Sequence, residues 1–330
     1  MSTPPRSAET DPVTVDAALR PARWEEYVGQ AQVKANVRIA LDAAKKRGGM
    51  PEHLLFYGPP GVGKTTLAYL VAATLDAPLK TTSGVAIERA ADLAAILTNL
   101  EPGTVLFIDE IHRLSHKIEE LLYPALESAH LDIVLGKGPS ARTVELALAP
   151  FTLVGATTRI ANLSDPLRSR FGGGTYQLDF YTESDLSDII VRSAKRLGLD
   201  APPDVIGRIA ARSRATPRVA NMLLKRVRDY SEVHGRPLSA ELCDEACALF
   251  GIDAYGLTKD DRRYLMTLLD GFRGGPAGIR ALAATLHEEP DTVEHVYEPY
   301  LLRLGFVERS PRGRILTHKG RAYLGDAQLL

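Results

Sequence analysis

The chain has 330 residues, of which 45% are hydrophobic and 25% are charged, with a formal net charge of −1. This composition is typical of a soluble globular protein with two or three domains, and it excludes a uniformly basic surface, so any DNA binding must come from a local patch. No uninterrupted apolar run approaches the ~18 residues of a membrane-spanning helix, so we expect no membrane association and predict a cytoplasmic location.

The chain is predicted to begin with a tail and a helix. Residues 1–12 are polar and rich in proline, without the apolar core of a signal peptide, and residues 1–18 are predicted to be a flexible tail. Apolar residues at helical spacing then predict a helix from Ala31 to Lys46, which ends at a pair of glycines.

A phosphate-binding loop follows the apolar run Leu54–Tyr57. Residues 58–65 fit the pattern GxxxxGK[ST], in which glycines let backbone N–H groups surround an anion and the next helix directs its positive end at it. Lys64 is predicted to reach the β- and γ-phosphates, and Thr65 to bind Mg²⁺. A plain turn between a strand and a helix is the alternative, which the complete pattern disfavours.

Two carboxylates end the next apolar run, Thr104–Asp109, which is predicted to be a buried parallel strand. Ligands of such sheets bind at the carboxyl ends of the strands. Asp109 is therefore predicted to hold Mg²⁺, and Glu110 to orient and activate the attacking water. An Asp-Glu pair is a weak signal alone, but after a complete phosphate loop it predicts an ATP-hydrolysing site.

A hairpin and a further buried strand are predicted next. Residues 131–135 and 142–146 are rich in β-forming side chains and flank a Gly/Pro turn. In the strand predicted over residues 151–158, the hydroxyl of Thr158 is a candidate to bind the attacking water or the γ-phosphate. The hairpin is either a docking surface for a partner or a face that packs on its own domain. The residues concerned are Ile133, Leu135, Val144 and Leu146.

Two arginines are further candidates for the ATP site. Arg170 alone would be a surface residue, but in this context it is a candidate arginine finger for the γ-phosphate of a neighbouring subunit, a role worth about 10³–10⁵ in rate. The pattern from Glu183 to Phe250 is helical throughout, and Arg218 follows Pro217 at the start of one of these helices. It is a candidate to point back at the nucleotide.

The last part of the chain, residues 257–330, is predicted to be a winged helix, because helical patterns precede a β-hairpin at residues 306–317. Basic residues outnumber acidic ones by six to one between positions 301 and 321. The basic residues are Arg303, Arg309, Arg312, Arg314, Lys319 and Arg321, and the acidic one is Glu308. Such a wing suits a DNA phosphate backbone. A winged helix that binds protein, with a solvated tip, is the alternative.

These motifs make the chain resemble the RuvB family, the bacterial Holliday-junction branch-migration motors of the AAA+ class. The resemblance rests on GPPGVGKTT at 58–66, LFIDEIHRL at 106–114, GATTR at 155–159, LRSRFG at 167–172 and PRGR at 311–314. It implies an α/β fold, with an AAA+ P-loop parallel sheet, a helical lid domain and a C-terminal winged-helix domain. The implied parts are a tail at 1–18, a large ATPase domain at 19–182 with a docking hairpin at 131–148, a lid at 183–256 and a winged-helix head at 257–330.

The same resemblance implies roles for individual residues. Thr158 matches sensor 1, Arg170 the finger acting in trans, and Arg218 sensor 2. The remaining residues implied to contact the nucleotide are Leu19, Arg20, Gly61, Val62, Gly63, Lys64, Thr65, Thr66, Ser128, Ala129, His130 and Tyr181. Arg309 and Arg314 match DNA-contacting residues of the wing, and Arg312 lies beside them. Pro290 stands where a basic residue is expected, and the glycine run at 172–174 is one residue longer than expected.

The implied function is an ATP-driven DNA translocase that forms a ring, expected to be a hexamer, and drives Holliday-junction branch migration in recombination and repair. ATP and Mg²⁺ are the implied cofactors. RuvA, docking on the 131–148 hairpin, and RuvC are the implied protein partners. Two alternatives are kept: another AAA+ machine such as a clamp loader, and a nucleotide-dependent switch that binds DNA without moving it.

Overall fold

The structure, a computed structural model, describes residues 17–135 and 142–327. These residues form two compact units, one ending at Tyr181 and the other beginning at Thr182. Residues 17–19 are helical, so the last two residues of the predicted tail are part of a short helical turn, and the side chain of Leu19, which follows the tail, is buried. Residues 1–16 lie outside the described residues. No helix in the described ranges is long and apolar enough to cross a membrane.

The strands of the first unit are β1 (Leu54–Tyr57), β2 (Leu79–Ser83), β3 (Thr104–Asp109), β4 (His130–Leu135), β5 (Arg142–Ala147), β6 (Phe151–Thr157) and β7 (Thr175–Gln177). Five of them form a parallel sheet with the strand order β2-β3-β6-β1-β7. The helices of this unit are Ala31–Lys46, Lys64–Leu75, Ala90–Thr98, His116–Ser128 and Asp165–Ser169. The central strands β3 and β6 are buried along almost their whole length, as their continuous apolar runs predicted.

The register of the sheet brings three strand ends to one edge. Tyr57 pairs with Thr157, and Ile108 pairs with Gly155. Because all the strands run in the same direction, the residues that follow β1, β3 and β6 emerge together at the carboxyl edge. Those residues are the phosphate loop, Glu110 and Thr158, so the fold itself assembles the predicted site.

The predicted hairpin is formed by β4 and β5, which are antiparallel with Leu131 opposite Leu146. Leu131 and Leu148 are buried in the core of this unit, and Leu146 packs against that core, whereas Val144 is exposed. The base of the hairpin therefore packs on its own domain, which is one of the two alternatives. The turn at 136–141 and the side chains of Ile133 and Leu135 lie outside what the structure describes.

The second unit contains a four-helix segment followed by a winged helix. The four helices are Glu183–Arg196, Pro203–Arg212, Pro217–His234 and Ala240–Leu249. The winged helix consists of the helical elements Lys259–Met266, Thr267–Gly271, Ile279–Leu286, Pro290–Thr292, Val293–Tyr297, Glu298–Arg303 and His318–Ala327, with strands β8 (Val307–Ser310) and β9 (Gly313–Leu316). The last helix was not predicted, because its buried side chains Tyr323 and Leu324 are adjacent and not at helical spacing.

Capping residues set the starts of two of these helices. The side chains of Thr182 and Thr258 each accept a hydrogen bond from the backbone N–H three residues later. In return, the carboxylates of Asp185 and Asp261 accept a hydrogen bond from the backbone N–H of the threonine. Such capping boxes satisfy backbone donors that a helix leaves free at its start. Gly235, with φ of +60°, ends the third helix of the segment, in the conformation that glycine adopts most easily.

The four-helix segment and the winged helix are directly bonded to each other. Arg214, between two helices of the segment, pairs with the buried carboxylate of Asp261, and the hydroxyl of Tyr300 donates to the carbonyl oxygen of Tyr255, in the connection that follows the segment, at 2.8 Å. The Tyr323 hydroxyl also donates to Asp253. These contacts explain why residues 182–330 behave as one compact unit.

Candidate functional site

The phosphate loop has a conformation that depends on two of its glycines. Gly58 has φ of +144°, and a Cβ there would lie 2.2 Å from the carbonyl oxygen of Leu178. Gly63 has φ of +101°, and a Cβ there would lie 2.9 Å from the Tyr27 hydroxyl. Side chains are excluded at both positions, because the backbone angle and the space are both unsuitable. The loop pattern is therefore a steric requirement of this fold.

Lys64 is held inside this loop. Its side chain is buried, and its Nζ donates to the carbonyl oxygens of Gly58 and Pro59, both at 2.9 Å. The ammonium group thus lies where the loop closes, beside the first turn of the helix Lys64–Leu75, which contains Thr65 and Thr66. A cation and a helix N-terminus at one point favour an anion such as a triphosphate.

Glu110 makes a dense set of contacts at the end of β3. One of its carboxylate oxygens accepts from Thr158 N at 3.2 Å and from Thr158 Oγ1 at 3.0 Å, and His112 Nδ1 lies 3.1 Å from the same oxygen. Burial opposes ionisation of Glu110, but the bonds from His112 and Thr158 outweigh it and hold its pKa at about 2. Glu110 is therefore a carboxylate at neutral pH, as a group that orients water must be.

His112 was missed by the sequence analysis. Its side chain is only 5% exposed, and its Nδ1 lies 2.9 Å from Thr157 Oγ1 as well as close to Glu110. It therefore links the ends of β3 and β6. The only available signal was its place two residues after Glu110, which does not distinguish a site histidine from a core one.

Asp109 and Thr65 have the chemistry that Mg²⁺ requires. Asp109 ends β3, and its Oδ1 accepts from Glu110 N at 3.0 Å. Thr65 presents a hydroxyl in the first turn after the loop. A carboxylate and a hydroxyl are hard oxygen ligands, which Mg²⁺ prefers together with phosphate oxygens and water. The residues present fit the metal.

The segment before the first helix packs on the phosphate-loop side of this unit. The guanidinium of Arg20 lies 3.9 Å from the ring centroid of Tyr69, on the helix that follows the loop. The buried Tyr181 donates its hydroxyl to the carbonyl oxygen of Val62 at 3.2 Å. Burial, with a smaller effect of Tyr181, raises the pKa of Tyr27. The structure thus brings Tyr181 to the loop, and it adds Tyr27, which the sequence analysis did not single out.

Arg170 is held at the end of the helix His116–Ser128. Its guanidinium lies 4.2 Å from the ring centroid of Tyr123 and 2.9 Å from Glu127 Oε1. Its Nη1 donates to the carbonyl oxygen of Pro166 at 2.6 Å. Since Glu127 immediately precedes Ser128, the candidate finger and the Ser128-Ala129-His130 stretch lie at the same end of one helix. Their roles toward a neighbouring nucleotide stay predictions.

Arg218 is exposed and is the second residue of the helix Pro217–His234. A helix start was predicted after this proline, and the helix begins one residue earlier, at Pro217 itself. Because Arg218 belongs to the second unit, its role at the nucleotide stays a prediction.

The candidate DNA-binding arginines are part of an ion-pair cluster. Arg309 and Arg314 lie opposite each other on β8 and β9, and both bond to Glu298. Each also lies close to Glu294, at 3.3 Å and 3.4 Å. Arg312 is exposed in the turn between the two strands. The arginines were predicted from the sequence, but their carboxylate partners were not.

These features together define a class of protein. The phosphate loop, the Asp-Glu pair and a threonine meet at the carboxyl edge of a parallel sheet, and a helical segment and a winged helix follow. That combination is a P-loop ATPase of the AAA+ class that carries a C-terminal winged helix.

Family models narrow this class to one family. The Holliday junction DNA helicase RuvB P-loop domain matches residues 19–176, the RuvB AAA lid domain matches 181–253, and the RuvB C-terminal winged helix domain matches 254–325. The chain belongs to the RuvB family. The predicted fold class, the resemblance and the assignment as an ATP-driven motor enzyme are thereby confirmed.

Individual relatives agree with this assignment. The Holliday junction branch migration complex subunit RuvB of Dehalococcoides mccartyi (strain CBDB1) is 52% identical over 316 residues, which cover 96% of this chain and 90% of that protein. The solved structure of the Thermotoga maritima RuvB Holliday junction branch migration motor is 46% identical, with a TM-score of 0.85 over 93% of this chain and 98% of that one. A mutant of the same protein has a TM-score of 0.86 over the same shares.

Proposed function

We propose that this chain uses ATP hydrolysis to drive branch migration of Holliday junctions, with its own residues in the roles that follow. Lys64 binds the β- and γ-phosphates, and Thr65 and Asp109 hold Mg²⁺, which neutralises charge on the phosphates when bound. Glu110 orients the attacking water. Thr158 hydrogen-bonds to Glu110 and to the γ-phosphate. The observation that carries the proposal is the meeting of Lys64, Glu110 and Thr158 at one sheet edge.

Arg170 completes this site from a neighbouring subunit. A guanidinium that reaches the γ-phosphate stabilises the charge that develops in the transition state. Support comes from the guanidinium of Arg170, which contacts Glu127 at the end of the helix His116–Ser128, beside the stretch that is implied to face a neighbouring nucleotide. Hydrolysis then requires a ring, which we propose to be a hexamer.

Mixing two inactive variants tests the trans arrangement. Glu110→Gln keeps the finger but lacks the water-orienting carboxylate, and Arg170→Ala has the reverse defect. In mixed rings at equal ratio, about a quarter of the interfaces join an intact Glu110 to an intact Arg170, so about a quarter of wild-type ATPase activity is expected. Arg168→Ala is the control, since that arginine pairs within its own helix with Asp165. No activity in the mixture would show that Arg170 does not act in trans.

The winged helix binds duplex DNA through Arg309, Arg312 and Arg314. Each phosphate contact contributes about 0.9 to the slope of log K against log salt. Replacing any one of these arginines with alanine is therefore expected to weaken binding and lower that slope by about one. An unchanged slope would remove that residue from the interface.

The partners and the location are also proposals. Deleting the hairpin tip is the direct test of RuvA docking, and RuvC is proposed to join the same complex in the cytoplasm. The alternative of a clamp loader is disfavoured by the RuvB winged-helix match at residues 254–325. Displacement of a branched DNA on ATP addition separates the motor from a switch that binds DNA without moving it.

A further inference from the structure

Glu298 is a fully buried carboxylate beneath the wing. Its side chain is 0% exposed, and it lies on the helix Glu298–Arg303 and not on the wing itself. Arg309 donates to it from Nε at 2.9 Å and from Nη2 at 2.6 Å, and Arg314 donates from Nε at 2.7 Å. The Tyr264 hydroxyl donates at 3.2 Å. A buried carboxylate needs such partners, so it cannot leave the cluster without great cost.

The position of Glu298 also resolves a conflict in the wing. Arg309 and Arg314 are directly opposite each other in the β8–β9 register. Like charges at opposite positions of an antiparallel pair repel each other. Glu298 bonds to both guanidinium groups at once and so holds them side by side.

Glu294 contacts the same arginines from a more exposed position. Its side chain is 36% exposed, and its Oε1 lies 3.3 Å from Arg309 Nη1 and 3.4 Å from Arg314 Nη2. These distances are longer than the strongest bonds to Glu298. Together, the two arginines and the two glutamates carry no net formal charge. An approaching phosphate therefore meets guanidinium groups whose charge is already neutralised. Of the two carboxylates, only Glu294 can turn into water and free guanidinium N–H groups.

We propose that Glu298 positions Arg309 and Arg314, while Glu294 occupies the N–H groups that a DNA phosphate takes, so that Glu294 sets the DNA affinity of the wing. The proposal rests on the proposed role of these arginines in DNA binding. Phosphate binding exchanges one oxygen acceptor for another on the same guanidinium edge, and Glu298 keeps both side chains in place throughout.

The test measures duplex DNA binding of the full chain at several salt concentrations. Glu294→Gln is expected to tighten binding by about 1.5- to 5-fold, the range that corresponds to a partly exposed ion pair of about 0.2–1 kcal/mol. Glu308→Gln is the matched control, because it removes the same charge from an exposed position on β8, where it pairs in register with Ile315. The effect of Glu308 on a bound phosphate acts through solvent, so it is expected to weaken as salt shortens the Debye length to about 8 Å at 0.15 M.

The competition is supported if, at 0.15 M salt, Glu294→Gln still tightens binding more than Glu308→Gln does. Equal effects of the two variants at every salt concentration would overturn it. Alanine at Arg309 or Arg314 separates this failure from a failure of the DNA role itself. If alanine lowers the salt slope while Glu294→Gln and Glu308→Gln change DNA binding equally, only the competition is refuted. If alanine leaves the salt slope unchanged, the DNA role of the arginine is refuted.

Glu298→Gln tests the positioning part. This variant is expected to lower the salt slope by about one to two, because Arg309 and Arg314 are no longer positioned side by side to bind phosphate. A purely structural role would lower the melting temperature without changing the slope of the folded protein, and that result would overturn the positioning role. If Glu298→Gln does not fold, Glu298→Asp, which keeps the charge but shortens the reach, gives the same comparison.

Discussion

Replacing Arg214 with alanine tests the connection between the four-helix segment and the winged helix. The guanidinium of Arg214 pairs with Asp261, whose side chain is 1% exposed, and lies 4.7 Å from the ring centroid of Tyr300. The variant leaves a buried carboxylate with the hydrogen bonds from Thr258, which donates from its N–H and its hydroxyl, both at 2.8 Å. An uncompensated charge then remains inside the second unit.

The expected loss of stability follows from this burial. Removing one partner of a buried ion pair costs about 3–5 kcal/mol. Because Thr258 continues to solvate Asp261, we expect the lower end, about 3 kcal/mol. For a unit of this size, 1 kcal/mol shifts the melting temperature by about 2–4 °C, so the second unit is expected to melt about 6–12 °C earlier.

Differential scanning calorimetry of the full chain measures this shift. Arg208→Ala is the control, because its partner Asp244 is 41% exposed and such a pair contributes at most about 1 kcal/mol. The double variant Arg214→Ala with Asp261→Asn removes the stranded charge and is expected to melt above Arg214→Ala alone. Equal shifts for Arg214→Ala and Arg208→Ala, or a double variant no more stable than the single one, would refute the argument from the buried charge.

Three further predictions concern the ATP site and the hairpin. Gly58→Ala is expected to abolish ATP binding because its Cβ would meet the Leu178 carbonyl, whereas Gly49→Ala, with nothing within 4 Å, is expected to bind ATP normally in a titration. His112→Ala is expected to lower kcat about tenfold with an unchanged KM for ATP, equivalent to about 1.4 kcal/mol, because Glu110 loses its buried neighbour; an unchanged kcat contradicts this role. Deleting residues 132–145 is expected to abolish stimulation by RuvA but to spare basal ATPase activity, and retained stimulation would exclude docking there.

The elements of the ATPase unit could be predicted from sequence because their signals are local. A continuous apolar run specifies β3, and the glycines of the phosphate loop meet a steric requirement within a few residues. The contact of Glu110 with Thr158 could be expected, since both follow neighbouring parallel strands. The contact of His112 with Thr157 could not, because it depends on the direction of one side chain after a turn in which Glu110 itself has φ of +47°.

In the wing, a count of charges along the chain gives a larger DNA-binding surface than the one proposed from the side-chain contacts. Two of the six basic residues between positions 301 and 321 are directed at backbone carbonyl groups: Lys319 donates to Leu304 at 2.9 Å and Arg321 to Arg273 at 3.1 Å. Glu294 and Glu298 lie outside that window, yet they contact Arg309 and Arg314. Of the other four basic residues, Arg303 ends the helix Glu298–Arg303, whereas Arg309, Arg312 and Arg314 lie on the β8–β9 hairpin, the proposed phosphate-binding surface. Three such contacts correspond to a salt slope of about 2.7, and six would give about 5.4. A measured slope near the larger value would mean that DNA extends well beyond the wing.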